Sequence, residues 1–337
     1  MDSLTQLRLT RELIDIDSTT GQEGDAGRFI AAMLRDLGYR VVEQPVSADR
    51  FNVIATTGAG APSVVFSTHF DCVPPFFQSR EEQGRLHGRG SCDAKGTLVA
   101  QVAAAERLRA SGESRVGLLF VVGEERGSDG AKIANTAASG SQFLINGEPT
   151  DNRLAVATRG AYRVGLRASG RTAHSSQPEL GESAIDKLVD ALVALREIDW
   201  PVDPVLGRTF YSVGLISGGI APNVISPSAE AELMFRTVGD HAAIRAQIQE
   251  RVGSLVEVRD GLVVPPVSMR TAPGFDAAVF AFTTDIPFLD RWGAPLLLGP
   301  GSVTQAHTVD EHVGVADLHR AVDLYAGLAQ SLLSQGG

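Results

Sequence analysis

The sequence predicts an α/β protein built on a mainly parallel sheet and interrupted by an inserted α+β domain of ferredoxin-like order. Three observations lead there. Short, almost continuously apolar runs at residues 63–67, 116–122 and 142–145 have the character of strands buried on both faces, and helical stretches at 94–109 and 130–137 separate them. From residue 162 to residue 264 the pattern reads strand, helix, strand, strand, helix, strand, the β-α-β-β-α-β order of a ferredoxin-like sandwich. Beyond about Met269 the alternation of helix and buried strand resumes.

Taken in order, residues 4–16 repeat apolar side chains at helical spacing. After the turn at 21–24 the set Phe29, Ile30, Met33, Leu34 and Leu37 does so again until Gly38 stops it. β-Branched runs at 41–42 and 51–55 precede the buried strands. The inserted region offers strands at 162–168, 209–216, 229–236 and 256–264, with helices at 183–196 and 242–252. Residues 295–298 form a core strand and 315–333 a closing helix. The expected domains are 1–155 with 268–337, and the insertion 156–267.

A chain of 337 residues with 43% hydrophobic and 21% charged side chains has material for about two cored domains. Its net charge of -10 and scattered arginines oppose nucleic-acid binding. No apolar run is long enough to span a bilayer, and the first residues lack a signal-peptide pattern, so no membrane association is expected. Two cysteines, Cys72 and Cys92, make no disulfide framework, and a reducing cytoplasm is the expected compartment.

Open parallel sheets place their sites at the carboxyl ends of strands. There the sequence sets His69-Phe70-Asp71, Gly123-Glu124-Glu125, Asn146-Gly147-Glu148 and a Gly-Pro-Gly loop leading to His307; Asp93 sits in a glycine-laced loop before a helix. Each has an ordinary alternative: a strand-end surface histidine, a helix N-cap for Asp93, solvent-facing glutamates. Their coincidence at one sheet edge is what those alternatives leave unexplained. Two histidines and three carboxylates are the count needed by two catalytic metal sites that share a carboxylate. Asp71, two residues beyond His69, can orient the imidazole. Of the adjacent Glu124 and Glu125, one can bind metal while the other serves as a general base.

The segments Ser67-Thr68-His69-Phe70-Asp71, Gly88-Arg89-Gly90 with Asp93-Ala94-Lys95-Gly96, Gly123-Glu124-Glu125, Gly147-Glu148-Pro149-Thr150 and Ala306-His307-Thr308-Val309-Asp310-Glu311 resemble the motifs of the dinuclear-zinc amidohydrolases. That family includes acetylornithine deacetylase, succinyl-diaminopimelate desuccinylase, aminoacylase-1 and glutamate carboxypeptidase. The resemblance implies a zinc-binding α/β catalytic domain with an inserted ferredoxin-like lid that also dimerises. It implies Asp93 bridging two ions, His69 and Glu148 completing one site, Glu125 and His307 the other, and Glu124 as general base. It further implies that His174 stabilises the oxyanion, reaching a neighbouring subunit's active site, that Asn223 contacts substrate and that Arg236 takes the substrate carboxylate.

Within the family, Gly299-Pro300-Gly301-Ser302 with Gln305-Ala306-His307 most resembles acetylornithine deacetylase. The expectation is a homodimeric N-acyl-amino-acid deacylase, with N-acetyl-L-ornithine first and Zn2+ as cofactor, Co2+ or Mn2+ also suiting the ligands. Carrier-linked or N-succinyl amino acids and short peptides, through dipeptidase or carboxypeptidase action, are the alternatives. A dinucleotide-dependent oxidoreductase lacks its glycine fingerprint; a thiol hydrolase on Cys72 or Cys92 with His69 leaves the carboxylates unused.

Overall fold

The computed structural model describes residues 1–58, 60–138 and 140–335. The chain forms two compact units: Met1–Val156 with Met269–Ala278 and Thr284–Gly337, and Ala157–Ser268 with Val279–Thr283. Residues 279–283, expected with the C-terminal stretch 268–337, fall in the second unit, where the Phe280 carbonyl accepts from the Arg159 amide at 3.4 Å.

The first unit opens with α1 (Ser3–Ile14) and α2 (Gly24–Asp36), then β1 (Arg40–Ser47), β2 (Arg50–Thr56) and β3 (Val64–His69). Next come β4 (Arg80–Glu82), β5 (Arg85–His87), α3 (Lys95–Ala110), β6 (Val116–Val121), α4 (Asp129–Asn135) and β7 (Phe143–Asn146). The second unit is β8 (Gly160–Ser169), α5 (Ala184–Leu195), β9 (Phe210–Gly218), β10 (Ser228–Thr237), α6 (His241–Val252) and β11 (Glu257–Val264). The chain returns to the first unit for β12 (Ala294–Leu297), β13 (His312–Gly314) and α7 (Val315–Gln335).

The central sheet of the first unit has the order β1-β2-β6-β3-β7-β12. Strands β6, β3, β7 and β12 are parallel, while β1 and β2 extend the sheet antiparallel as a hairpin, which needs no crossover helix. The apolar runs are continuous because alternate side chains enter two cores. Phe66, Leu118, Phe120, Ile145 and Leu296 face one, with α3 and α7; Val65, Leu119, Val121 and Leu144 face the other, with Trp292 and α4. Helix α3 is buried almost all round, from Lys95 through Ala105, and its alanines let it pack closely against α1, α7 and the sheet. Tyr325 of α7 donates its hydroxyl hydrogen to the Leu298 carbonyl, tying that helix to the end of β12.

The second unit is a four-stranded antiparallel sheet of order β9-β10-β8-β11 with α5 and α6 packed on one face. Strand β10 alternates exposed and buried positions, as a sheet covered on one side must. Its core gathers Tyr162, Leu166, Leu233 and Phe235 with Leu188, Ile244 and Ile248 from the helices. Ser183 and Asp240 cap α5 and α6 by accepting from the amides of Asp186 and Ala242.

Candidate metal centre and active site

The site assembles at the carboxyl edge of the parallel strands. His69 is the last residue of β3, opposite Val121 at the end of β6; Glu124 and Glu125 follow β6, and Glu148 follows β7. The chain turns out of β6 through Gly123, whose φ of 77° is left-handed. At Gly147 a Cβ would stand 2.3 Å from Thr97 Cγ2, so only glycine lets β7 run so close beneath α3. Thr68 donates to the Gly147 carbonyl at 2.7 Å and Asn146 to Ser67 Oγ at 3.0 Å, locking the two strand ends together.

Asp93 stands at the centre. Its Oδ1 lies 3.0 Å from His69 Nε2 and its Oδ2 lies 3.3 Å from His307 Nε2. His69 Nε2 is also 3.7 Å from Glu148 Oε2, and His307 Nε2 is 3.0 Å from Glu125 Oε1. Two triads result, His69–Asp93–Glu148 and Asp93–Glu125–His307, each with its ligand atoms within 4.8 Å of one another. Asp93 does not cap α3: the N-cap is Ala94, with no side-chain capping bond.

Asp71 orders the surroundings. His69 Nδ1 faces the Asp71 carbonyl at 3.1 Å and Oδ1 at 3.3 Å; both accept, so Nδ1 carries hydrogen and Nε2 points at the carboxylates. Asp71 also accepts from the amides of Glu124 at 3.0 Å and Glu125 at 3.2 Å, and from Thr20 Oγ1 at 2.8 Å. Burial alone would raise its pKa; His69, Thr20 and the Glu124 amide outweigh that and hold it below the usual carboxylate range.

Burial pushes Glu148 up to about 8, and drives Glu124 well above the usual range, with the Glu148 charge adding to it. Burial also raises Glu125, while hydrogen bonds to Asp93 and Glu125 raise His307 to about 10. For His69, burial opposes charging, but Glu148, Asp71 and Asp93 outweigh it and hold the imidazole well above its ordinary pKa. Asp93 is lowered: burial would raise it, but His307 and His69 prevail. The Glu148 Oε1 atom is buried and accepts no hydrogen bond. This is a cluster of carboxylates short of positive charge, and divalent ions fit it.

Three residues that sequence reasoning left without a role belong here. Glu311 accepts from the amides of Cys92 and Asp93, each at 3.1 Å, and pairs with buried Arg89 at 2.6 Å, so it holds the loop that presents Asp93. It lies in the His307-containing motif, yet nothing in that motif says it reaches back to the loop. Thr20 lies far away in sequence from Asp71. Asp285 is 1% exposed, and burial raises it to about 7 although Ser128 pulls the other way. Cys72 and Cys92 are buried; burial lifts the first to about 12 and the second well above its ordinary value, which leaves neither a reactive thiolate.

His174, Asn223 and Arg236 belong to the second unit. His174 is exposed, pairs with Val224 as an isolated bridge, and has its Nδ1 2.8 Å from Ser176 Oγ. The Asn223 carbonyl accepts from the Ser175 amide at 3.1 Å, so these two motifs are neighbours. Arg236 lies on β10 opposite Ala161 and Phe210, half-buried, and burial lowers its pKa.

Known proteins resemble this chain in sequence and in fold. The chain is 35% identical over 377 aligned residues to a probable carboxypeptidase of Aspergillus clavatus, covering 98% of this chain and 83% of that protein. In fold it resembles the aminopeptidase PepT of Bacillus cereus, with a TM-score of 0.83 at 19% identity over 99% of both chains. It also resembles YXEP of Bacillus subtilis, described as a dinuclear metal binding peptidase, with a TM-score of 0.73 at 15% identity over 98% of this chain and 99% of that one. Residues 65–331 match the family described as Peptidase family M20/M25/M40, and with the ligand-bearing strand ends inside that span, the chain belongs to this family of metal-dependent amide hydrolases.

Proposed function

We propose that this protein is an exopeptidase of carboxypeptidase or dipeptidase type, releasing an amino acid from a short peptide at a dinuclear metal centre. The observation that carries the metal chemistry is Asp93, whose two oxygens face different histidines in different triads. The peptide reading is supported by the carboxypeptidase name of a relative aligned over 98% of the chain. N-Acetyl-L-ornithine, expected from the resemblance around residues 299–307, has no support beyond those residues and stands second.

His69, Asp93 and Glu148 would hold one ion, and Asp93, Glu125 and His307 the other. Zn2+ is the first choice; Co2+ and Mn2+ are compatible with the same donors. The ions would supply Lewis acidity to the scissile carbonyl and to the attacking water. Glu124, whose backbone is held by Asp71 and whose pKa burial raises, would take the water's proton and return it to the departing amine. His174 would steady the charge developing on the carbonyl oxygen, in its own chain or a partner's. Asn223 would contact the substrate, and Arg236, half-buried with no ion pair among the described residues, would take its carboxylate.

A homodimer formed through the second unit is part of this reading. Strand β9 is a sheet edge with Val213, Leu215 and Ile216 exposed, and α5 exposes Ile185, Val189 and Val193 at i, i+4, i+8 spacing. Among the described residues no helix is long and apolar enough to cross a membrane; a cytoplasmic location remains part of the proposal.

The test is amino-acid release from dipeptides, tripeptides, C-terminally amidated peptides and N-acetyl amino acids, using chelated and zinc-reloaded protein. Metal-restored cleavage of peptides with a free carboxylate, lost on amidation, is expected. Cleavage of N-acetylornithine alone would overturn the peptidase reading while keeping the metal centre.

A further inference from the structure

A second cluster of metal-type side chains lies in the first unit, in the small sheet β13-β5-β4. His312 of β13 stands directly opposite His87 of β5, and Arg80 of β4 stands opposite His87 on the other side. The two imidazole rings are 4.9 Å apart between centroids. Asp310, just before β13, places Oδ1 3.1 Å from His87 Nδ1. One ligand atom from each of His87, Asp310 and His312 lies within 4.8 Å of the others.

One hydrogen bond leaves a lone pair open to a cation, and a second set of contacts shows a cation already drawn to the cluster. His312 Nδ1 lies 2.8 Å from the Asp310 carbonyl, which only accepts; the hydrogen is therefore on Nδ1 and the lone pair on Nε2. His87 Nδ1 lies 3.1 Å from Asp310 Oδ1, which accepts, and 3.2 Å from Arg80 Nη2, which only donates, so imidazole, carboxylate and guanidinium meet at this atom, and as a ligand it would turn its lone pair to the cation that replaces the guanidinium. The same Arg80 nitrogen is 2.9 Å from Asp310 Oδ1, so a guanidinium sits against both the His87 imidazole and the Asp310 carboxylate. Its side chain is 54% exposed, and Glu82 lies 3.5 Å from its Nε, so the arginine can swing out and keep a carboxylate partner. An exposed Arg–Asp pair contributes little and is readily displaced.

We propose that His87, Asp310 and His312 form a third divalent-metal site, suited to an imidazole-preferring ion such as Zn2+ or Co2+, which displaces the Arg80 guanidinium. The ion would pin β5 to β13 on either side of Glu311, whose carboxylate holds the amides of Cys92 and Asp93. It would thereby brace the loop carrying the bridging aspartate without taking part in the reaction.

The experiment is equilibrium dialysis of the full chain, stripped by chelator, against buffered Zn2+, with bound zinc counted per chain and circular dichroism confirming the fold. One zinc equivalent is expected to disappear in His312→Gln. Arg80→Met, which removes the competing cation, should bind that equivalent about tenfold more tightly. Asp93→Asn, which disables the bridging ligand, should keep the His312-dependent equivalent, so failure of the catalytic centre and failure of this site are distinguishable. Equal zinc content in wild type and His312→Gln, or an Arg80→Met isotherm superimposable on wild type, would overturn the proposal.

Discussion

The metal cluster of the first unit and the motif residues of the second are held in opposite ways. His69 sits at a strand end with its Nδ1 fixed by Asp71, Asp93 hangs from a loop clamped by Glu311, and Glu148 follows a strand locked by Thr68. All three are buried. His174 and Asn223 are exposed and held by local bonds, and Arg236 is half-buried with no ion-pair partner among the described residues. The first arrangement spends its hydrogen-bonding capacity on preorganising ligands, as tight metal sites require. The second leaves the Arg236 guanidinium without an ion pair among the described residues, as the proposed role of meeting a substrate requires.

The sharpest break of this contrast is Glu124→Gln, expected to lower kcat by about 10²–10⁴ with zinc content unchanged; retained activity would remove Glu124 from the base role. Next, His174→Ala should cost about 10²–10³ in kcat without moving Tm or zinc affinity. A fall in zinc affinity instead would mean that His174 belongs with the ligands. Glu311→Gln tests the preorganised side: it weakens the clamp on the Asp93 loop, and a loss of roughly 10- to 100-fold in metal affinity is expected. An unchanged affinity would show that the loop holds itself.

The smallest effect is on stability. In the metal-free protein burial raises Glu148 to about 8 and Asp285 and Glu311 each to about 7, above ordinary values of 4.5, 3.8 and 4.5. His307, raised to about 10, adds in the same direction. The folded chain therefore binds more protons than the unfolded chain between about pH 5 and 8, and its stability falls as pH rises through that window. The Tm of chelated protein should drop by a few degrees from pH 5 to 8, and zinc should flatten the slope by replacing protons at the ligands. A flat Tm without metal would contradict the burial of these carboxylates.

Much of the fold was legible because period and burial leave marks in local sequence. The runs at 63–67, 116–122 and 142–145 are apolar throughout since both faces of β3, β6 and β7 are covered. The region 162–264 alternates because its sheet is covered on one face only. Other features left weaker marks. The strand pair β4–β5 is too short to show a period, and the antiparallel edge of the central sheet follows from a hairpin turn rather than from strand composition.

The site divides along the same line. His69, Asp93, Glu124, Glu125, Glu148 and His307 could be picked out from sequence because reactive residue types at strand ends interrupt apolar runs, and a loop or strand terminus is a local property. The reach of Glu311 to the amides of Cys92 and Asp93, of Thr20 to Asp71, and the enclosure of Asp285 could not, since each joins residues far apart in the chain. Sequence by itself determined which residue types stand at the sheet edge, because strand periodicity and turn chemistry act over a few neighbours. Only the tertiary structure decided that Asp93 turns one oxygen to His69 and the other to His307, because that orientation depends on three segments packed against one another and on a clamp that none of them carries alone.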